Sequence, residues 1–175
     1  MRLFTIKNMG LFMTGLLSDK ENIFDQFLLS EAVISTGNTY TIDGHINKDF
    51  YTLEDLEQLR HEAAENNRIF SEKLCRFESV KSYCFSIIKG KKAPLAFRIS
   101  LCLSDENTLK FLKTADSNIT ADQINSLNFN IKYDGSNLTV TTAISYNIFT
   151  MDKSLDNAFD NMVARFLDAH GFDYE

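Results

Sequence analysis

Two stretches of this chain about a hundred residues apart carry the same strand-turn-strand pattern, and each follows a β-favouring run and a helix. At an offset of 98 the pairs Leu29/Leu127, Val33/Ile131, Gly37/Gly135, Tyr40/Leu138, Thr41/Thr139, Ile42/Val140 and Ile46/Ile144 match in character. Successive side chains of a strand point to opposite faces, so the match predicts two hairpins that present equivalent residues to one interior. The expected helix caps, Asn8 and Asp105, lie 97 apart, nearly the same offset. This predicts an α+β fold: an antiparallel sheet built from a duplicated β-α-β-β unit. Its halves would be residues 2–46 and 96–149, with a helical insert at 50–90 and a C-terminal helix at 153–170, all in a single domain. Two amphipathic hairpins of similar length also share strand parity without a common origin, so duplication and convergence both account for the pattern.

The local signals support this order. Phe4 and Ile6 share one face of a short strand, and Asn8 is placed to cap a helix carrying Met9, Phe12, Met13, Leu16 and Leu17 on one stripe. A two-residue turn at Gly37-Asn38 would set Val33 against Ile42, Ser35 against Tyr40 and Leu29 against Ile46. The other face of that ribbon would then be mostly polar, with Ala32 and Ile34 as exceptions. In the insert, Thr52 and Asp55 fit a capping box ahead of Leu53, Leu56, Leu59 and Ala63, and a second helix carries Val80, Cys84, Ile87 and Ile88. The second half opens with a strand through Phe97, Ile99 and Leu101. A helix capped by Asp105 follows, with Leu109 and Leu112 inward and Lys110 and Lys113 outward. A turn at Gly135-Ser136 would oppose Tyr133 to Leu138, Ile131 to Val140 and Phe129 to Thr142. The last helix, capped near Asp152 or Ser154, carries Leu155, Phe159, Met162 and Phe166 inward and is placed to cover an exposed sheet face or edge.

Composition narrows the function classes. A net charge of −6 disfavours strong nonspecific attraction to nucleic acid or anionic lipid. Cys75, Cys84 and Cys102 are odd in number and too widely spaced for a Cys-x-x-Cys pair, which points to buried thiols rather than a disulfide framework or a zinc site. No apolar run reaches the roughly eighteen residues of a membrane span. The apolar patch from Leu11 to Leu17 lacks the features of a secretory signal, and the expected location is cytoplasmic.

Two resemblances follow from these segments. A strand, a helix and a hairpin ending in a Thr-rich strand, repeated across Met1–Ile46 and Ala96–Phe149, resembles the architecture of a DNA sliding-clamp domain. The helical insert, the extra C-terminal helix and the length of one domain depart from it. The resemblance implies a channel lined by basic helix residues, for which Lys7, Lys20, Lys110 and Lys113 stand at the corresponding helices. That is a thin supply against the roughly six to ten phosphate contacts of a strongly salt-sensitive binder. The whole chain also resembles a family of short bacterial proteins classed as a domain of unknown function. Phe-Leu-Leu-Ser-Glu-Ala at 27–32, Thr-Ile-Asp-Gly-His-Ile-Asn at 41–47 and Ile-Phe-Thr-Met-Asp-Lys-Ser-Leu at 148–155 carry that likeness. It implies no activity and transfers no functional residue.

Chemistry-bearing motifs are few. Asp43 and His45 lie two apart on one strand face, where a carboxylate can orient an imidazole for proton transfer or metal binding. No catalytic triad, metal-ligand spacing, phosphate loop or cofactor fingerprint accompanies them. The expectation is a non-enzymatic interaction module with a clamp-like core. It would act by self-association or by binding a protein partner, with weak nucleic-acid binding at most and no cofactor. The alternative is a small enzyme or ligand-binding protein using the polar face around Asp43 and His45.

Overall fold

Alternation of β-branched or aromatic residues with polar ones builds six strands, and helices form between them where that period changes to one of three to four residues. In the computed structural model, which describes residues 1–175, the chain order is β1 (Leu3–Ile6), α1 (Met9–Leu17), β2 (Leu28–Ser35), β3 (Thr39–Asp43), α2 (Leu53–Glu65), α3 (Lys81–Ile88), β4 (Ala96–Cys102), α4 (Asp105–Thr114), β5 (Ile124–Tyr133), β6 (Leu138–Tyr146) and α5 (Ser154–Ala169). All six strands join one antiparallel sheet in the order β1-β6-β5-β4-β2-β3, so the fold is α+β as expected.

One face of this sheet is covered. Its buried side chains include Phe4, Ile34, Phe97, Ile99, Ile131 and Val140. Against them pack Phe12 and Leu16 of α1, Cys84 of α3, Phe111 of α4, and Leu155, Phe159, Val163 and Leu167 of α5. The centre is aromatic: Phe24 lies within 6.2 Å, ring to ring, of Phe12, Phe27, Phe129, Phe166 and Phe172. Full burial of each such ring contributes about 1.5–3 kcal/mol. On α5 the fully buried stripe runs at intervals of four through Leu155, Phe159, Val163 and Leu167, while the expected Met162 and Phe166 flank it half-buried. On α4 the inward residue is Phe111. Leu109, expected inward, is exposed, because Phe111 takes the place against the sheet; the cap is Ser104, whose side chain accepts from the Asn107 N–H, and Asp105 is the first helical residue.

A strand, a helix and a hairpin occur twice in succession, as β1-α1-β2-β3 and β4-α4-β5-β6. The two leading strands are placed differently: β4 lies between β5 and β2 and bonds both hairpins, whereas β1 lies at the sheet margin against β6. The β5–β6 hairpin has the expected register, Tyr133 opposite Leu138, Ile131 opposite Val140 and Phe129 opposite Thr142. Gly135 supplies the positive φ of its turn, and Asp134 Oδ1 accepts from the Ser136 and Asn137 N–H groups.

The β2–β3 register departs from expectation by one residue. Val33 opposes Thr41, Ile34 opposes Tyr40, and Ser35 opposes Thr39. Residues 36–38 close the hairpin, with the Thr36 N–H donating to the Asn38 carbonyl at 2.8 Å, and Gly37 lacks the positive φ that a two-residue primed turn requires. A bulge between Leu29 and Glu31 also inserts one residue into β2. Leu29 therefore shares the buried face with Ala32 and Ile34, the two residues that appeared to be exceptions, and Val33 turns to the open face.

Beyond that bulge β2 and β3 part, and residues 73–76 fill the gap. The Leu29 N–H donates to the Cys75 carbonyl at 2.9 Å, the Cys75 N–H to the Gly44 carbonyl at 2.8 Å, and the Ile46 N–H to the Lys73 carbonyl at 2.9 Å. Gly44 sits so close to β2 that a Cβ there would lie 1.8 Å from the Leu29 carbonyl oxygen. The insert itself divides in two. Its second helix, α3, packs on α1 and β2, and Lys81 beneath it donates to the Ser18 and Glu21 carbonyls and to Asp25 at 2.7–3.2 Å. Its first helix, α2, has the expected capping box of Thr52 and Asp55 but no buried residue. Arg60 and Lys48 hold it to the chain through Glu72 at 2.5 and 3.0 Å.

After α5, Gly171 with φ +70° turns the chain back along β1. The Thr5 N–H donates to the Glu175 carbonyl at 2.9 Å and the Glu175 N–H returns a bond to Thr5 at 3.0 Å, so the C-terminal residues cover that sheet edge.

The crossing at Gly44 gives a sharp expectation. Gly44→Ala forces a methyl group into a backbone carbonyl and is expected to lower stability by about 3 kcal/mol or more. Gly37→Ala, with nothing within 4 Å of the added atom, is expected to change it by less than about 0.5 kcal/mol. Urea unfolding of both variants checks the pair of outcomes.

Candidate functional site

The second face of the sheet has no helix on it. Because opposed residues of antiparallel strands share a face, the register places Leu3, Thr141, Asn130, Ser100, Glu31 and Asp43 in one row across all six strands. Thr5, Thr139, Lys132, Arg98, Val33 and Thr41 form the next row. Both rows are polar apart from Leu3 and Val33; beyond them Leu28 and Cys102 meet on the same face and are buried, lining one hollow with Phe70 and Leu74. Glu31 stands directly opposite Asp43, a like-charge placement that costs stability, and Arg98 offsets it by donating to Glu31 at 2.7 Å.

The Asp43 and His45 side chains do meet. His45 Nδ1 lies 2.6 Å from Asp43 Oδ1, and the His45 backbone N–H donates to the same oxygen at 3.0 Å. These bonds hold the Asp43 carboxyl below its ordinary value, the backbone bond contributing most. The two side chains are 69% and 65% exposed, so water competes for the pair and it contributes little to stability. The chain contains no cluster of three His, Cys, Asp or Glu side chains that could hold a metal ion. The geometry suits an exposed strand end held straight by its own side chain.

The four lysines of the clamp resemblance lie in separate places. Lys7 pairs with Glu175 at 3.7 Å, Lys20 borders a groove between α1 and α3, and Lys110 and Lys113 are exposed on α4. Helix α1 itself carries no cation. Phe172 against Phe12 of α1, and Phe159 against Phe111 of α4, put α5 and its following turn between the two helices.

The free cysteines are sheltered. Burial pushes the Cys84 thiol up to about 11 and the Cys102 thiol up to about 12, and it raises Cys75 as well. At neutral pH all three are thiols, weak as nucleophiles and as ligands.

Two surfaces are better placed for recognition, and neither has a sequence motif. The first is the outer edge of β3, where no strand pairs with Thr39–Asp43. The bonds Thr36 N–H to Asn38 and Gly44 N–H to Ser30 set the ladder so that Tyr40 and Ile42 engage β2. Thr39, Thr41 and Asp43 then direct their N–H and C=O groups outward. The second is a cavity of about 430 Å³ between α4 and α5, walled by Phe27, Phe111, Phe129, Met162, Val163 and Phe166. Gln26, Asn107, Lys110 and Arg165 stand around it. Only the hydrophobic stripe of α5 hinted at this cavity, through Met162 and Phe166.

The state of the thiols is checked by alkylation. At pH 8 the native protein is expected to leave Cys84 and Cys102 unmodified by iodoacetamide until it unfolds, with Cys75 reacting more slowly than a free thiol. Mass spectrometry before and after denaturation reads the outcome.

No curated protein and no solved structure matches this chain. A family model described as a family of unknown function, DUF5721, matches residues 16–175. The chain belongs to that family.

Proposed function

We propose that this member of the DUF5721 family is a non-enzymatic interaction module that works by adding a strand to the open edge of β3. The observation that carries the reading is the contrast between the two edges of the sheet. The β1 edge is covered by the chain's own C-terminal residues, whereas β3 is bare. Exposed edges are ordinarily guarded by lysine, proline, a bulge or a covering segment. Thr39-Tyr40-Thr41-Ile42-Asp43 carries no lysine and no proline, and its residues favour strand pairing. Strand addition gains main-chain hydrogen bonds, and the alternating side chains set specificity.

The occupant that fits this register is β3 of a second copy, antiparallel about a two-fold axis at Thr41. Its outward backbone groups, on Thr39, Thr41 and Asp43, then meet their equivalents in about six main-chain bonds. On the open face Thr41 would oppose Thr41 and Thr39 would oppose Asp43. On the core side Tyr40, 42% exposed, would oppose Ile42. An aromatic against a β-branched residue and threonine against threonine are favourable cross-strand pairs, and no like charges face each other. An isologous contact of this kind closes as a dimer. Nucleic acid is not the partner in this reading, since the net charge is −6 and the candidate lysines are dispersed.

Thr41→Pro separates association from folding. The Thr41 N–H points away from β2, so proline is tolerated in the monomer as on other edge strands, while the central bonds of the dimer are lost. Light scattering after size exclusion at about 100 μM, a concentration suited to micromolar contacts, should find the native chain as a dimer and Thr41→Pro as a folded monomer. A native chain that stays monomeric there overturns the self-pairing. A native chain that also fails to take up any extended peptide at this edge by NMR overturns strand addition itself.

A further inference from the structure

The α4–α5 cavity lies on the helical side of the sheet, away from the β3 edge, and is lined by aromatic residues with two cations beside them. Its floor is Phe27 and Phe129, Met162, Val163 and Phe166 of α5 form one wall, and Phe111 of α4 forms the other. Behind it Phe111 packs on the buried Phe159, ring to ring at 5.8 Å. About 430 Å³ is within the range of small-molecule sites, roughly 300–1,000 Å³.

Charge supplies the second half of the argument. The chain as a whole is acidic, at −6, yet no carboxylate lines this cavity and two cations do, Lys110 and Arg165. Neither has a carboxylate oxygen within 4.0 Å, so both charges are open to an anion from outside the chain. Arg165 spends its Nε on the Asn161 carbonyl at 3.4 Å, which leaves the terminal nitrogens free. Asn107 donates to Gln26 Oε1 at 3.1 Å, which leaves the Gln26 amide N–H groups available beside them. An aromatic-lined cavity with unpaired donors around it is complementary to a molecule with an apolar body and one anionic end.

We infer that the α4–α5 cavity binds a small amphipathic carboxylate, its hydrocarbon or aromatic body against Phe27, Phe111, Phe129 and Phe166 and its carboxylate between Lys110 and Arg165. A guanidinium accepts a carboxylate in a two-bond fork, and the ammonium adds a point charge. The site is independent of the β3 edge.

Decanoate is the probe, with decylammonium as its cationic counterpart of equal chain length. Titration calorimetry on the full chain should show decanoate binding at least tenfold tighter than decylammonium. Lys110→Gln with Arg165→Gln should weaken decanoate by on the order of tenfold or more, as for loss of a charge-assisted hydrogen bond. Both residues are exposed, so the double variant should unfold at the native temperature. Ala158→Phe should fill the cavity and abolish binding. The inference is overturned if decanoate does not bind at about 1 mM, weak even for a metabolite site, if decylammonium binds equally well, or if the double variant binds decanoate as before. It is also overturned if an acidic amphipathic helical peptide binds at α4–α5 while decanoate does not, since the groove is then a protein-docking surface.

Discussion

The close crossing of Gly44 over the Leu29 carbonyl governs most of what is distinctive in this structure. A side chain at 44 would hold the two strands apart, and without it the chain passes close enough for the Gly44 N–H to reach Ser30 at 2.9 Å. From that point β2 and β3 diverge, residues 73–76 take up the freed backbone groups of both, and the insert is anchored to the sheet. The same crossing accompanies the β2 bulge, and the bulge decides which side chains of the first hairpin reach the core. It also leaves the wedge on the inner side of the Gly44–Ile46 extension. The outer edge of β3 stays bare for that reason.

Legibility from sequence follows this division. The β5–β6 hairpin could be read to the residue because Phe129, Ile131 and Tyr133 alternate without interruption into a turn whose Gly135 supplies the required φ. The Asn8 cap and the Thr52–Asp55 capping box were equally plain, since each is a local bond between a side chain and a backbone group three residues away. The first hairpin misled because Leu29, Val33, Ile42 and Ile46 suggest one continuous face. A bulge changes parity with no residue type that announces it, so Ala32 and Ile34 looked like exceptions when they were the core. The order of elements was legible, but not the neighbours of β1 and β4, because strand adjacency depends on contacts between distant segments rather than on local period.

The site divides the same way. Asp43 and His45 could be paired on paper because they lie two apart on a strand, and they do bond, yet their exposure follows from β3 having no strand on its outer side, which no local pattern shows. Neither the bare edge nor the α4–α5 cavity has a motif. An edge is defined by which strand is absent beside it. A cavity is defined by side chains from residues 26 to 166 whose convergence only the packing reveals.

Where the molecule spends its charges is consistent with both surfaces. Buried cations are fully matched: Lys81, with its side chain only 6% exposed, has three oxygen partners, and Arg76 pairs with Glu106 while also donating to Gln26. Burial alone would raise the Glu106 carboxyl, but the Arg76 guanidinium holds it below its ordinary value. Such pairs lose several kcal/mol when one partner is removed, because the other is left buried and unmet; they hold the loop at 18–25 and the segment at 73–76 in place. Lys110 and Arg165 are exposed cations beside an apolar cavity, with no acid of the chain paired to them. The bare β3 edge stands apart in the same sense, as backbone donors and acceptors with no partner in the chain. Partners from outside the chain would complete both places.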